Sequence, residues 1–232
     1  MKTNLWLTLA TVGALTLGAA ESDTQSAVKK AADTLTGKGS YSWSLVNKPE
    51  GSEEGFQMST DGKTEKGGFT TLTIRFGENE FQAVRKGEKV AVQRDGQWQT
   101  PEDMDERGAR MTRRLQTAKF PAEEAAELAG KVTELKAGDG GLYSGDLTEA
   151  AVKEIFSRWG RGGQAPQVSG AKGWVKFWVK DGVLAKYQFN QRGTITGQDG
   201  QERDMNRTTT VEIKDVGTTK VSVPDDVKKK LS

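Results

Sequence analysis

"WVKFWVKDGVLAKYQF", residues 174–189, crowds β-branched and aromatic side chains around one turn signal, and its register decides the fold. The Asp181-Gly182 pair separates two strand-like runs. A loop of those two residues alone sets Phe177 opposite Lys186 and Val175 opposite Gln188. A three-residue loop, Lys180-Asp181-Gly182, with Gly182 at a left-handed bulge position, instead pairs Val179 with Val183, Phe177 with Ala185 and Val175 with Tyr187. One residue of slip exchanges the two faces, so the reading that keeps one face apolar is preferred. It turns Val175, Phe177, Val179, Val183, Ala185, Tyr187 and Phe189 inward. Trp174, Lys176, Trp178, Lys180, Leu184, Lys186 and Gln188 face outward, where Lys stems can lie along the indoles. The stretch predicts a half-buried antiparallel sheet.

Outward from this hairpin the chain alternates between strand and helix periods. Ser22 or Asp23 caps a first helix with the stripe Ala27, Val28, Ala31 and Leu35, ended by Gly37. Strand alternation follows through Tyr41, Trp43 and Leu45, then Phe56 and Met58, Leu72, Ile74 and Phe76, Phe81 and Ala83, Val90 and Val92, and Trp98. Asp61-Gly62, Lys86-Gly87-Glu88 and Arg94-Asp95-Gly96 read as turns that fold these runs into an antiparallel meander. Thr100-Pro101-Glu102-Asp103 opens a helical middle with the stripe Met104, Met111, Leu115 and Ala118. A second helix spans "PAEEAAELAG" from Pro121, and a strand pair is expected in "KVTELKAGDGGLYSGDL". A third helix from about Thr148 carries Val152, Ile155, Phe156 and Trp159. After the hairpin come "RTTTVEIKDV" and "TTKVSV" as last strands, with Pro224 ending the order.

Composition removes several function classes. Residues 1–20 have a cationic Lys2, an apolar run from Leu5 to Leu17 and the small residues Gly18-Ala19-Ala20, the pattern of a cleaved signal peptide. The expected product is residues 21–232, one domain, periplasmic or secreted, with no transmembrane segment. No Cys follows the apolar run, so no lipid-modified Cys is expected. The whole chain holds 34 basic and 32 acidic residues, a balance that argues against nucleic acid or another general polyanion as partner. With no Cys and no His, disulfides, the usual metal and haem ligand sets, and Ser-His-Asp or Cys-His catalysis are all missing. Neither a cofactor, a metal nor an enzymatic activity is expected.

The order helix, meander, helical insertion, meander resembles the lipoprotein-carrier superfamily of LolA/LolB-like and LppX/LprG-like proteins. The likeness rests on that order, on "WVKFWVKDGVLAKYQF" as the family's late hairpin, and on "VEIKDVGTTKVSVPDDVKKKL" as its closing strand pair and helical tail. It implies an α+β, mostly β fold: a curved antiparallel sheet, an unclosed β-barrel, with helices covering the concave face. It implies binding of lipid or lipoprotein acyl chains in an apolar cavity under a helical lid, by a monomer that also meets envelope proteins. The missing lipidated Cys sets the chain apart from the lipoprotein members.

The candidate cavity wall is Tyr41, Trp43, Phe56, Met58, Leu72 and Ile74 from the first meander, and Met111 and Leu115 from the middle helix. The hairpin adds Val175, Phe177, Val179, Ala185, Tyr187 and Phe189. The alternative is a filled core, each large side chain contributing ~1.5–3 kcal/mol when fully buried; the protein is then an envelope interaction module without ligand. The two readings stand side by side on the sequence. The Met111 stripe offers little volume to fill a broad sheet face, which favours the cavity. The basic run Arg107, Arg110, Arg113, Arg114 and Lys119 reads as a solvated face, with Asp103–Arg107 and Glu106–Arg110 as favourable i,i+4 pairs. "WGRGGQ", residues 159–164, and "GQDGQERDMN", residues 197–206, read as loops.

Overall fold

The computed structural model describes residues 22–51, 57–157, 166–197 and 200–232. The expected leader, Phe56, Trp159 and the "WGRGGQ" segment lie outside them. Ser22 accepts a hydrogen bond from the Gln25 amide while the Gln25 side chain accepts one from Ser22, a reciprocal cap that starts α1 (Asp23–Gly37). The first meander is β1 (Ser40–Pro49), β2 (Met58–Glu65), β3 (Thr70–Phe76), β4 (Asn79–Lys86), β5 (Lys89–Arg94) and β6 (Gln97–Gln99). A 3₁₀ turn leads to α2 (Glu106–Thr117) and α3 (Pro121–Ala129), then to β7 (Lys136–Ala137), β8 (Leu142–Asp146) and α4 (Glu149–Ser157). The chain closes with β9 (Gln167–Lys180), β10 (Val183–Thr196), β11 (Glu202–Lys214) and α5 (Asp225–Lys230).

All described strands join one antiparallel sheet in the order β6-β5-β4-β3-β2-β1-β11-β10-β9-β8-β7. The two meanders meet where β1 pairs with β11, at mid-sheet, and the end strands β6 and β7 do not pair, so the curved sheet stays open. Register carries one face across it. Ile213, Trp43, Gly62, Leu72, Ala83 and Val92 form one cross-strand row, and Val211, Leu45, Thr60, Ile74 and Phe81 the next. Helices α1, α3 and α4 pack on this face over β9 and β10, and α2 packs over β5. This is the half-barrel with helices on its concave side that the resemblance implied.

The hairpin turns Val175, Phe177, Tyr187 and Phe189 inward as expected, by a different register. Its loop is the two residues Asp181 (φ 51°) and Gly182 (φ 72°), both left-handed, and Lys180 pairs with Val183 and Val179 with Leu184. A bulge between Leu184 and Lys186 then inserts one residue, so Phe177 meets Tyr187 and Val175 meets Phe189. The expected Phe177–Ala185 and Val175–Tyr187 pairs are therefore corrected. Leu184, expected outside, is fully buried, because the two-residue loop sets it opposite Val179; the bulge that follows returns Tyr187 to the same face. Lys and Trp do line the wet face: the Lys176 ammonium lies 5.0 Å from the Trp174 ring centre and that of Lys186 5.2 Å from Trp178.

Three further expectations give way. Asp61-Gly62 is not a turn but the middle of β2, where Gly62 leaves room for the Trp43 indole. In α2 the buried positions are Ala109 and Thr112, while Met111 is exposed; the Met104/Met111/Leu115/Ala118 stripe is not its inner face. Residues 218–223 form no strand, and order does not end at Pro224. Val223, Val227 and Leu231 instead pack on Val84 and Ala91, with Phe69, Trp98 and Val221 beside them. Alternation around Val221 and Val223 reflects burial on the sheet's back, not ladder pairing.

Candidate functional site

Register places Tyr41, Trp43, Met58, Leu72, Ile74, Val175, Phe177, Tyr187 and Phe189 on the concave face together. Their surroundings differ. Val175, Phe177, Tyr187 and Phe189 are packed among Val28, Leu35, Leu128, Val152 and Phe156, and the Tyr187 hydroxyl donates to Glu124 of α3 at 2.6 Å. The Tyr187 ring stacks on Phe189 with centres 6.5 Å apart. This half of the concave face is solid. Val179 and Ala185 sit at its partly buried edge by the hairpin turn.

The meander half is more open. Trp43 and Ile74 are buried, Met58 and Leu72 are half-buried, Leu115 is half-buried on α2, and Met111 stands 57% exposed. A cleft of about 380 Å³ opens where the end of α1, the β2–β3 turn, the β4–β5 turn and the start of α3 converge. Tyr41 and Phe120 form an aromatic wall, with Ala122, Thr36, Thr64 and Thr70 around it. Trp43 backs that wall, its ring centre 5.6 Å from Tyr41 and 6.1 Å edge-on from Phe120. The Thr64 and Thr70 hydroxyls are hydrogen-bonded to each other at 2.8 Å. Burial pushes the Tyr41 hydroxyl up to about 12; the Ala122 backbone hydrogen bond opposes this, and the Glu123 charge adds to it.

Arg85 closes one side of the cleft. It stands on β4 in the inward register of Phe81 and Ala83, opposite Thr70. Its Nε donates to the Gly87 carbonyl (2.7 Å), and Nη1 donates to the Ala118 (2.5 Å) and Leu115 (3.3 Å) carbonyls at the end of α2. The guanidinium lies 4.6 Å from the centre of the Phe120 ring. Burial lowers its pKa, and Glu123 and Glu88 partly restore it. It therefore ties the helical cover to the sheet. Lys66, Lys86, Glu65 and Glu123 complete a charged rim, with Glu65 accepting from the Val221 amide and Glu123 from the Phe120 amide.

Sequence reasoning missed Arg85, Phe120 and Ala122. A signal for Arg85 was present, since it continues the inward parity of Phe81 and Ala83. Phe120 stands just before Pro121, where it is the N-cap residue of α3. Among the described residues no group of three or more acidic side chains is gathered in a way that could hold a metal ion, and no helix is long and apolar enough to cross a membrane.

No family model matches the chain, and no curated protein does. Solved structures do. The chain is similar to LprF from Mycobacterium bovis, with a TM-score of 0.42 and 13% identity over 87% of this chain and 95% of that one. It is similar to a LolA superfamily protein from Nitrosomonas europaea, with a TM-score of 0.32 and 11% identity over 88% and 96% of the two chains. A DUF1329 family protein from Desulfovibrio piger gives a TM-score of 0.30 and 11% identity over 91% and 100%.

Proposed function

We propose that this protein is an extracytoplasmic binding or carrier protein that holds a lipid, or the acyl chains of an acylated protein, between sheet and helical cover. The observation that carries this is the cleft walled by Tyr41 and Phe120, with a charged rim and an apolar floor. Its volume of about 380 Å³ falls within the roughly 300–1,000 Å³ of small-molecule pockets. Ligand chains enter beside Tyr41 and reach toward Trp43, Leu72 and Ile74, while polar head groups stay at the Arg85–Lys66–Lys86 rim. The hairpin residues Val175, Phe177, Val179, Tyr187 and Phe189 share a core with Tyr41 and Trp43 and support the wall from the filled half, while Met58, Met111, Leu115 and Ala185 lie outside the residues that line the cleft. In this reading residues 1–20 are removed on export, residues 21–232 act as one monomeric domain in the periplasm or outside the cell, and the protein catalyses no reaction.

The filled half favours a second reading. Val175 and Phe177 are fully buried against the helices, as they would be in an interaction module without ligand. Native mass spectrometry of protein purified from the envelope fraction separates the two. Co-purified lipid on the intact protein is the outcome expected of a carrier. Protein of bare mass only, with no uptake on adding fatty acid, leaves the interaction module.

A further inference from the structure

Helix α2 carries the sequence "ERGARMTRRLQT" and turns only Ala109 and Thr112 fully inward. Arg107, Arg110, Met111, Arg113 and Arg114 are all exposed. Residues three and four apart share a helix face, so Arg107, Arg110, Met111 and Arg114 form one continuous outer stripe, and Arg113, three residues after Arg110, borders it. Met111 and Phe76 are the two large apolar side chains that stand out as exposed among the described residues. The i,i+4 pairs that would make this stripe an ordinary solvated face are not formed. Asp103 is held by the Thr100 amide (3.0 Å) and Lys230 (3.1 Å) instead of Arg107. Among the described residues no carboxylate lies within ion-pair distance of Arg107, Arg110 or Arg113, although the Arg113 charge helps to lower the Glu102 carboxyl, after the dominant Thr100 hydroxyl and a backbone hydrogen bond.

We infer that α2 is a docking face for an anionic lipid surface. The stripe combines clustered cations, which an anionic headgroup layer attracts, with one exposed apolar side chain at their centre. Its position fits that role. The Leu115 and Ala118 carbonyls at its end bind Arg85 at the wall of the cleft, so a bilayer against α2 lies next to the cleft mouth. With 34 basic and 32 acidic residues in the chain, attraction comes from this local grouping and not from net charge. Met beside arginines would suit a protein interface as well; the place of the stripe beside the cleft favours the lipid surface. The choice of a lipid surface rests on the carrier reading of the cleft; vesicle binding and fatty-acid uptake are separate measurements, so the failure of one is distinguishable from the failure of the other.

Co-sedimentation of the purified protein with vesicles tests it. Vesicles of phosphatidylcholine mixed with phosphatidylglycerol should bind the protein, and phosphatidylcholine alone should not. Each arginine at the surface adds about fivefold to partitioning, so Arg107→Gln/Arg110→Gln/Arg113→Gln should lose roughly a hundredfold. These side chains are exposed, and an unchanged melting curve confirms that the variant folds. The matched control Lys172→Gln/Lys176→Gln/Lys180→Gln removes the same charge from β9 and should bind as the parent does. Met111→Ser should weaken binding by a smaller factor that persists in high salt. Absence of binding to the anionic vesicles, or equal loss in the β9 control, overturns the inference. So does retention by an acidic protein surface in place of the vesicles.

Discussion

The indole of Trp43 on β1 lies across the backbone of Gly62 on β2, where any Cβ would overlap the ring. That pair sets how deep the aromatic wall sits behind the cleft. Gly62→Ala must push the indole toward Phe120 and Tyr41, and overpacking of this kind costs ~1–3 kcal/mol. Denaturant unfolding should show the loss as a lower midpoint with unchanged slope. A neutral Gly62→Ala would mean that Trp43 moves freely.

The hairpin gives a test of the bulged register. Leu184→Lys buries a charge beside Val179 and Tyr187 and should unfold the domain or cost several kcal/mol, whereas Lys186→Leu on the wet face should stay within about 0.5 kcal/mol. Thermal melts of the two variants compare them directly. Equal tolerance would restore the three-residue loop with Leu184 outside.

Tyr41 predicts a pH dependence at the alkaline end. Its folded pKa of about 12 lies above the ordinary value of 10.0, so folding favours the neutral phenol. The resulting stability is fully present below pH 10, falls as pH rises from 10 to 12, and amounts to about 2–3 kcal/mol. Unfolding free energies measured across this window should fall more steeply for the parent than for Tyr41→Phe. Parallel slopes would contradict a buried phenol.

Arg85 predicts a loosened cover. Arg85→Leu removes the donors to the Leu115 and Ala118 carbonyls while keeping an apolar stem on Phe120. Hydrogen exchange should quicken at the end of α2 and the start of α3, with little change in β9 and β10. Uniform acceleration across the sheet would instead make Arg85 a global stabiliser.

Much of this architecture is legible in the sequence because it rests on period and on turn chemistry. Alternation from Tyr41 to Leu45 and from Val175 to Phe177, the Ser22 cap and the Gly130 stop all report local rules. What was not legible depends on partners distant in sequence. Gly62 reads as a turn until Trp43 is seen lying on it. The Leu184 bulge leaves composition unchanged while it shifts register by one residue. Val221 and Val223 alternate like a strand because their partners, Phe69 and Val84, lie on the sheet's back. Met111 looks apolar and therefore inward, yet Ala109 and Thr112 are the residues buried where α2 packs over β5. The cleft itself combines one residue from each of several elements, a grouping that no single window contains.

The most direct test of the carrier reading is titration with a fluorescent fatty acid, comparing the parent protein with Thr36→Trp. Thr36 is exposed at the end of α1 and lines the cleft mouth, so an indole there enters the opening without displacing core. Saturable uptake by the parent, with the negative heat-capacity change of apolar burial, and its loss in an equally stable Thr36→Trp protein, is the predicted result. No saturable uptake by the parent, or uptake undiminished by Thr36→Trp, would contradict it.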